Sequence, residues 1–127
     1  MTGEPTVWIV DDDDSVRRSF ARLLRSAGVR VVECSSAREF LDASPDGCGC
    51  VILDLHMPDI TGLELLEKLA GAPHPLPVIV LSGNANFKTI QCALAGGAAG
   101  FLVKPVEDEL LLESIRSALG APLAGKF

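Results

Sequence analysis

Five polar residues stand directly after short apolar runs in this 127-residue sequence: Asp11, Asp12, Asp54, Ser82 and Lys104. If these runs are parallel strands, their carboxyl ends share one edge of the sheet, where open parallel sheets bind ligands. Three carboxylates, a hydroxyl and an ammonium group would then converge there. Carboxylates that are packed together repel, so either their pKa values rise or a hard cation neutralises their charge.

This set of groups is suited to the transfer of a phosphoryl group onto a carboxylate. Oxygen ligands in a partly open site favour Mg²⁺, which prefers an octahedral shell and keeps several waters. A free oxygen of Asp54 could attack an incoming phosphoryl group, because carboxylates are established nucleophiles that form aspartyl-phosphates. Mg²⁺ and Lys104 would stabilise the equatorial oxygens, and Ser82 could donate a hydrogen bond to one of them.

The elements that would position these residues alternate along the chain five times. Compact apolar runs predict strands, and amphipathic stretches with a helical period predict helices. The predicted strands span residues 6–10, 29–33, 50–55, 77–82 and 99–103. Their apolar residues are continuous rather than alternating, which indicates a sheet covered on both faces. The pattern therefore predicts a parallel α/β sandwich with right-handed crossovers.

Capping residues and apolar stripes define the predicted helices. Asp13 or Asp14 can cap the first helix and Gly28 ends it. Its arginines are placed on the face opposite the apolar stripe, which consists of Val16, Phe20, Leu23, Leu24 and Ala27. Thr61 and Glu64 form a capping pattern for the third helix, whose stripe is Leu63, Leu66 and Leu69. The second, fourth and fifth helices are predicted over residues 37–43, 86–95 and 107–119.

Composition bounds the class of protein. Apolar residues make up 48% and charged residues 22%, as in an ordinary globular domain. The net charge of −6 argues against direct nucleic-acid binding, because proteins that bind the phosphate backbone are usually basic. No apolar run approaches the ~20 residues that span a bilayer, and the first residues do not resemble a signal peptide. We therefore expect a cytoplasmic protein without membrane contact.

The chain is long enough for one domain, which we expect over residues 1–120, followed by a tail or linker at 121–127. A Cys-Gly-Cys pair is too small for a zinc site without further ligands at suitable spacing. We therefore expect reduced thiols at all four cysteines, Cys34, Cys48, Cys50 and Cys92.

Four motifs give the sequence a resemblance to a known family. They are IVDDD at 9–13, LDLHMPDITG at 53–62, VLSG at 80–83 and FLVKP at 101–105. In this order and spacing they resemble the CheY-like receiver domains of bacterial two-component response regulators, and most closely those of the FixJ type. The resemblance covers the chain from Thr6 to Leu119. It implies a flavodoxin-like (βα)5 doubly wound fold, with five parallel strands in the order 2-1-3-4-5.

The resemblance implies a role for each of the polar residues. Asp54 would be the phosphoacceptor, which takes its phosphoryl group from a sensor histidine kinase. Asp12 would bind Mg²⁺ directly, together with Asp54, and Asp11 would act on the metal through water. Lys104 and Ser82 match the lysine and the hydroxyl residue that contact the phosphoryl group in the family.

Further positions of the motifs match backbone ligands and a switch residue. The backbone carbonyl of His56 is implied as a metal ligand, and the N–H groups of His56 and Gly83 as phosphoryl ligands. Phe101 occupies the position of the switch aromatic, which moves inward with the hydroxyl residue on phosphorylation. His56 and Asn84 occupy positions that influence the dephosphorylation rate in the family. The peptide bond before Pro105 is implied to be cis.

The resemblance also implies how the signal is passed on. Phosphorylation would alter the surface made by the fourth helix, the fifth strand and the fifth helix. That surface would contact an output domain or a second copy of the chain in a phosphorylation-dependent homodimer. The expected output is transcription through a DNA-binding domain that these 127 residues do not include.

Simpler interpretations stand beside these roles. Ser82 could bind only nearby backbone, His56 could be an exposed loop side chain, and Phe101 could be ordinary core. Leu110, Leu111 and Leu112 together exceed what one helix face can bury, so part of this run lines the sheet edge or forms an exposed patch.

Two other functions would use a similar set of residues. A phosphatase of the haloacid-dehalogenase type also uses an aspartate nucleophile and Mg²⁺. Such enzymes have an Asp-x-Asp motif, whereas in this sequence His56 stands two residues after Asp54. A pseudo-receiver would bind partners without phosphorylation. It usually lacks one of the acidic pair, the acceptor or the lysine, and this chain keeps all of them.

Overall fold

Five strands and five helices alternate along the chain. The computed structural model describes residues 5–43, 49–56, 62–71, 76–83 and 86–119. The elements are β1 (Thr6–Val10), α1 (Asp14–Ser26), β2 (Arg30–Cys34), α2 (Ala37–Asp42), β3 (Gly49–Asp54), α3 (Gly62–Ala70), β4 (Val78–Ser82), α4 (Phe87–Ala95), β5 (Gly100–Val103) and α5 (Asp108–Leu119). All strand pairs are parallel, in the order β2-β1-β3-β4-β5, so the expected fold is confirmed. The expected tail at 121–127 lies outside the described residues.

Side chains of the strands alternate between two hydrophobic cores. Val7 and Ile9 of β1 join the core that packs against α1 and α5. Val51 and Leu53 of β3 join the core that packs against α2, α3 and α4. Every residue of β3 and β4 is buried. Because helices cover both faces of these central strands, their sequences are apolar without interruption.

The start of α1 is fixed by one of the two predicted caps. The carboxylate of Asp13 accepts hydrogen bonds from the backbone N–H groups of Ser15, at 2.9 Å, and Val16, at 3.2 Å. These bonds satisfy N–H groups that have no partner within the helix. The helix ends at Ser26, and Gly28 adopts a φ of 85° shortly after it, which favours glycine.

The predicted placement of the α1 arginines on the solvent face is wrong for Arg17. The fully buried side of α1 consists of Arg17, Phe20, Ala21 and Leu24. The predicted stripe residues Val16 and Leu23 are only partly buried. The spacing 17, 20, 21 and 24 is itself a helical stripe, so the true buried face is rotated slightly from the predicted one. This face was not predicted, because a charged residue such as Arg17 is not expected on the buried side of a helix.

The predicted stripe of α3 is displaced in the same way. The buried residues are Gly62, Leu65 and Leu66, whereas Leu63 and Leu69 only pack against the core in part. The helix begins with Gly62, which lies against the end of β3. The predicted cap Thr61 lies outside the described residues.

Gly62 approaches β3 so closely that a side chain would displace backbone. A Cβ atom there would lie 2.5 Å from the Cα of Leu55 and 2.7 Å from the carbonyl oxygen of Asp54. We expect Gly62→Ala to lower the free energy of unfolding by about 1–3 kcal/mol, measured by urea denaturation. A Cβ at Gly83 meets nothing within 4 Å, so Gly83→Ala is the control, with little change. Equal losses in both variants would contradict this packing.

Candidate functional site

Four strands deliver the predicted polar residues to one edge of the sheet. Asp11 and Asp12 follow β1, Asp54 ends β3, Ser82 ends β4, and Lys104 follows β5. The backbone N–H of Lys104 donates a 2.9 Å hydrogen bond to the carbonyl oxygen of Ser82. This bond extends the pairing of β4 and β5 by one residue and fixes the lysine beside the acidic residues.

Three carboxylates meet at this edge, as predicted. One oxygen from each of Asp11, Asp12 and Asp54 lies within 4.8 Å of the others. Asp11 is fully buried, Asp54 is nearly so and Asp12 is exposed. An octahedral Mg²⁺ ion with ligands at about 2.1 Å spans about 4 Å from one ligand to the opposite one. The spacing and the oxygen-only composition of the cluster therefore fit a small hard cation.

Lys104 supplies positive charge to the cluster. Its Nζ lies 3.0 Å from Oδ2 of Asp11 and 3.6 Å from Oδ2 of Asp54. Burial lowers the pKa of Lys104, but the hydrogen bonds and charges of the two carboxylates outweigh burial and raise it above its usual value. Lys104 pairs with two of the three carboxylates, so when all three are ionised its single charge leaves the cluster with an excess of negative charge.

The surroundings of Asp54 raise the pKa of its carboxyl group. Burial raises the pKa of Asp54, and the negative charge of Asp11 raises it further. The backbone N–H of His56, 3.2 Å from Oδ1, and the charge of Lys104 act in the opposite direction. The net result is a pKa of about 6. The ionised form of Asp54 is therefore disfavoured in the folded protein until a cation compensates it.

Asp11 is held by its backbone as well as by its side chain. Its N–H donates to the carbonyl oxygen of Cys34 at 3.1 Å, and its Oδ1 accepts the N–H of Asp13 at 2.9 Å. Its carbonyl oxygen accepts a 2.9 Å hydrogen bond from Nη1 of Arg17. Sequence reasoning missed Arg17, although its spacing with Phe20 and Leu24 was an available signal.

The imidazole ring of His56 makes a contact that the sequence did not predict. Its Nε2 lies 3.3 Å from Oγ of the buried Ser82. The interpretation of His56 as an exposed loop residue is therefore incomplete, because the exposed residue reaches back to the hydroxyl group. This contact depends on the path of the loop after β3, for which no sequence pattern exists. Gly83 is exposed beside it, and Asn84 lies outside the described residues.

Phe101 lies in β5, opposite Val80 of β4. It is half-buried and packs against the core beside α2, α3 and α4, so it is neither a fully buried core residue nor an exposed one. The Lys104–Pro105 peptide bond is cis, as the resemblance implied.

Comparison with known proteins gives the class of protein. The family model of the response regulator receiver domain matches residues 7–116, and the chain belongs to this family. The chain is 43% identical over 115 residues to the transcriptional regulatory protein FixJ of Azorhizobium caulinodans, covering 90% of this chain and 54% of that protein. It is 42% identical over 117 residues to the response regulator protein TmoT of Ectopseudomonas mendocina, covering 91% and 53%. The chain thus spans about half the length of these curated relatives.

Solved structures agree with this assignment. The crystal structure of FixJ-N matches with a TM-score of 0.84 and 36% identity, covering 96% of this chain and 98% of that one. A CheY-like receiver domain protein from Methanospirillum hungatei matches with a TM-score of 0.84 and 30% identity, covering 93% and 95%. The chain is therefore a FixJ-like receiver domain of a two-component response regulator, a signalling domain. In the part of the chain that the structure describes, no helix has the length and apolar character needed to cross a bilayer.

The raised pKa of Asp54 predicts a pH-dependent loss of stability in Mg²⁺-free solution. The pKa rises from 3.8 to about 6 on folding, so the folded protein binds more protons than the unfolded chain between these values. The carboxyl group therefore lowers stability increasingly as the pH rises through this window. We expect Asp54→Asn to unfold nearly like wild type close to pH 4 and to be about 3 kcal/mol more stable at pH 7.

Urea denaturation with a chelator, at several pH values from 4 to 7, measures this difference. The exposed Asp42 at the end of α2 gives the control variant Asp42→Asn, for which we expect a small difference that does not grow with pH. A constant difference between wild type and Asp54→Asn across the range would contradict the assigned cause.

Proposed function

We propose that this receiver domain accepts a phosphoryl group on Asp54 in the presence of Mg²⁺. The convergence of groups at the sheet edge carries the proposal. An acceptor carboxylate, two further carboxylates within 4.8 Å and a lysine ammonium 3.6 Å from the acceptor together match the chemistry of phosphoryl transfer. The family generally binds Mg²⁺ at such an acidic pocket.

Asp12, Asp54 and the backbone carbonyl of His56 would hold the metal ion, with Asp11 acting through a water molecule. When bound, Mg²⁺ supplies positive charge that neutralises the carboxylates and the oxygens of the transferred group. An ionised oxygen of Asp54 then attacks the phosphorus atom. The O–P bond forms as the P–N bond to the donor's phosphohistidine breaks, and the imidazole of the sensor histidine kinase leaves.

Groups already near Asp54 would stabilise the transferred phosphoryl group. The ammonium group of Lys104 faces the acceptor oxygen Oδ2, and the N–H of His56 points at Oδ1. With the exposed N–H of Gly83, they donate to the new equatorial oxygens. The hydroxyl of Ser82 exchanges its contact with His56 for a phosphoryl oxygen.

The exchange at Ser82 would begin the conformational response. Because Ser82 ends β4 and the half-buried Phe101 lies on the neighbouring β5, movement of the hydroxyl and the ring changes the adjoining α4-β5-α5 surface. A phosphoryl group adds close to two negative charges beside an acidic cluster, which supplies the driving force for an inward shift of Lys104 and Ser82.

The α4-β5-α5 surface is suited to contact a partner. Among the described residues, four of the five exposed large hydrophobic side chains lie on these elements: Phe87, Leu94, Val103 and Leu110. In the leucine run, Leu111 is fully buried and Leu112 packs against the core, so only Leu110 is left exposed. We propose that this surface contacts an output domain or forms a phosphorylation-dependent homodimer.

The proposed output is control of transcription. The relatives FixJ of Azorhizobium caulinodans and Nodulation protein W of Bradyrhizobium diazoefficiens are about twice as long as the matched region, and the former carries the name of a transcriptional regulatory protein. With its charge of −6, the receiver itself would not contact DNA.

We propose a cytoplasmic location. Burial raises the pKa of Cys34 to about 11 and of Cys50 to about 12, so both thiols are protonated near neutral pH.

Intact mass spectrometry after incubation with acetyl phosphate tests the phosphoacceptor directly. We expect one Mg²⁺-dependent phosphoryl adduct on wild type and on the control Asp42→Asn, and none on Asp54→Asn or Asp12→Ala. An equal adduct on Asp54→Asn would contradict the assignment of the acceptor. If wild type gave no adduct and bound no phosphoryl mimic such as beryllofluoride in Mg²⁺, the pseudo-receiver alternative would hold.

Sedimentation velocity tests the proposed dimer surface. We expect wild type to shift from monomer to dimer when Mg²⁺ and beryllofluoride are added. The substitution Phe87→Ser removes a side chain that is 73% exposed, and we expect it to weaken the affinity of the dimer at least about tenfold. Val32→Thr is the matched control, because Val32 is also exposed but lies on β2. Equal effects of both substitutions would argue against the α4-β5-α5 surface.

A further inference from the structure

A buried guanidinium group contacts the backbone of the acidic cluster. Arg17 of α1 is only 8% exposed and contacts three elements of structure. Its Nη1 donates to the carbonyl oxygen of Asp11 at 2.9 Å, and its Nη2 to Oδ1 of Asp14 at 2.6 Å. Its Nε lies 3.4 Å from Oε1 of Glu33 on β2. The side chain therefore ties the loop after β1 to the first turn of α1 and to the edge strand.

The contact with Asp11 acts on a rigid unit of backbone. The carbonyl oxygen of Asp11 belongs to the same planar peptide group as the N–H and Cα atoms of Asp12. The N–H of Asp11 is separately bound to Cys34 of β2 at 3.1 Å. Because hydrogen bonds hold both the N–H and the carbonyl oxygen of Asp11, Asp12 has little freedom to rotate away from Asp54.

Resting on the proposed function, we infer that Arg17 is a positioning residue for the metal site. It touches neither metal nor phosphoryl group. It holds the Asp11–Asp12 peptide group, so that the two carboxylates stay within reach of one cation. Partners that orient metal ligands without binding the metal commonly contribute about 10–100-fold to affinity.

A simple charge effect predicts the opposite sign, which makes the inference testable. Removing a positive charge near an acidic site makes the site more negative and should strengthen Mg²⁺ binding. Loss of positioning should weaken it. The variant Arg17→Lys keeps the charge but cannot reach the carbonyl oxygen of Asp11 and both carboxylates together, because the ammonium group has no planar fork.

The experiment is an isothermal titration of Mg²⁺ into wild type, Arg17→Met, Arg17→Lys and Arg25→Met. Arg25 is the matched control, since it binds the same Glu33 at 3.1 Å and the carbonyl of Val31 but does not contact the Asp11 loop. Circular dichroism at the titration temperature ensures that each variant compared is folded. We expect Kd to rise about tenfold in Arg17→Met, to rise in Arg17→Lys, and to stay within about twofold of wild type in Arg25→Met.

The outcomes separate this inference from the proposed function. If wild type binds Mg²⁺ and both Arg17 variants bind it as tightly or more tightly, the inference is overturned and the proposed function stands. An equal rise in Arg17→Met and Arg25→Met would also overturn it, because the effect would then come from the ion pairs with Glu33. If Arg17→Met does not fold, the Kd values of Arg17→Lys and Arg25→Met for Mg²⁺ are compared instead, and a rise in Arg17→Lys alone supports the inference. No Mg²⁺ binding by wild type would overturn the proposed function, and the inference with it.

Discussion

Mutual repulsion among three carboxylates is the main electrostatic constraint on this domain. Their oxygens lie within 4.8 Å of one another, two of the three side chains are buried, and a single lysine opposes them. Burial and the neighbouring Asp11 raise the pKa of Asp54 to about 6, so its ionised form is less favourable in the folded protein than in the unfolded chain. This excess of negative charge suits the Mg²⁺ binding and the phosphoryl transfer that we propose.

The rest of the fold serves to hold this unfavourable arrangement together. The central strands β3 and β4 are buried along their whole length, so their ends are fixed by two cores rather than by loops. Parallel pairing from β2 through β5 then brings the ends of β1, β3, β4 and β5 to one edge. Lys104 is held by its backbone hydrogen bond to Ser82, and Asp11 by hydrogen bonds to Cys34 and Arg17. Free energy from apolar burial thus stabilises a charged site that would not assemble by itself.

The residues at the strand ends could be predicted from the sequence because the underlying rules are strict. Continuous apolar runs fix the sheet type, and parallel strands must end at one edge, which placed Asp54, Ser82 and Lys104 correctly. Helix rotation was not predictable in the same way. Two adjacent stripes fit a helical period almost equally well, and the buried face of α3 includes Gly62, whose close approach to Leu55 no apolar pattern indicates. Periodicity could have indicated that Arg17 is buried on α1, but not that it binds the carbonyl oxygen of Asp11. The contact of His56 with Ser82 depends on the path of the chain after β3 and has no periodic signal.

The proposed function requires a divalent cation in the acidic cluster, and the diffraction of a crystal soaked in Mn²⁺ would reveal it directly. Mn²⁺ accepts the same oxygen ligands as Mg²⁺ and scatters X-rays anomalously. We expect one strong anomalous peak at the sheet edge, in contact with carboxylate oxygens of Asp12 and Asp54 and with the carbonyl oxygen of His56. A peak bound elsewhere, or no peak at saturating Mn²⁺ with the cluster open to solvent, would contradict it.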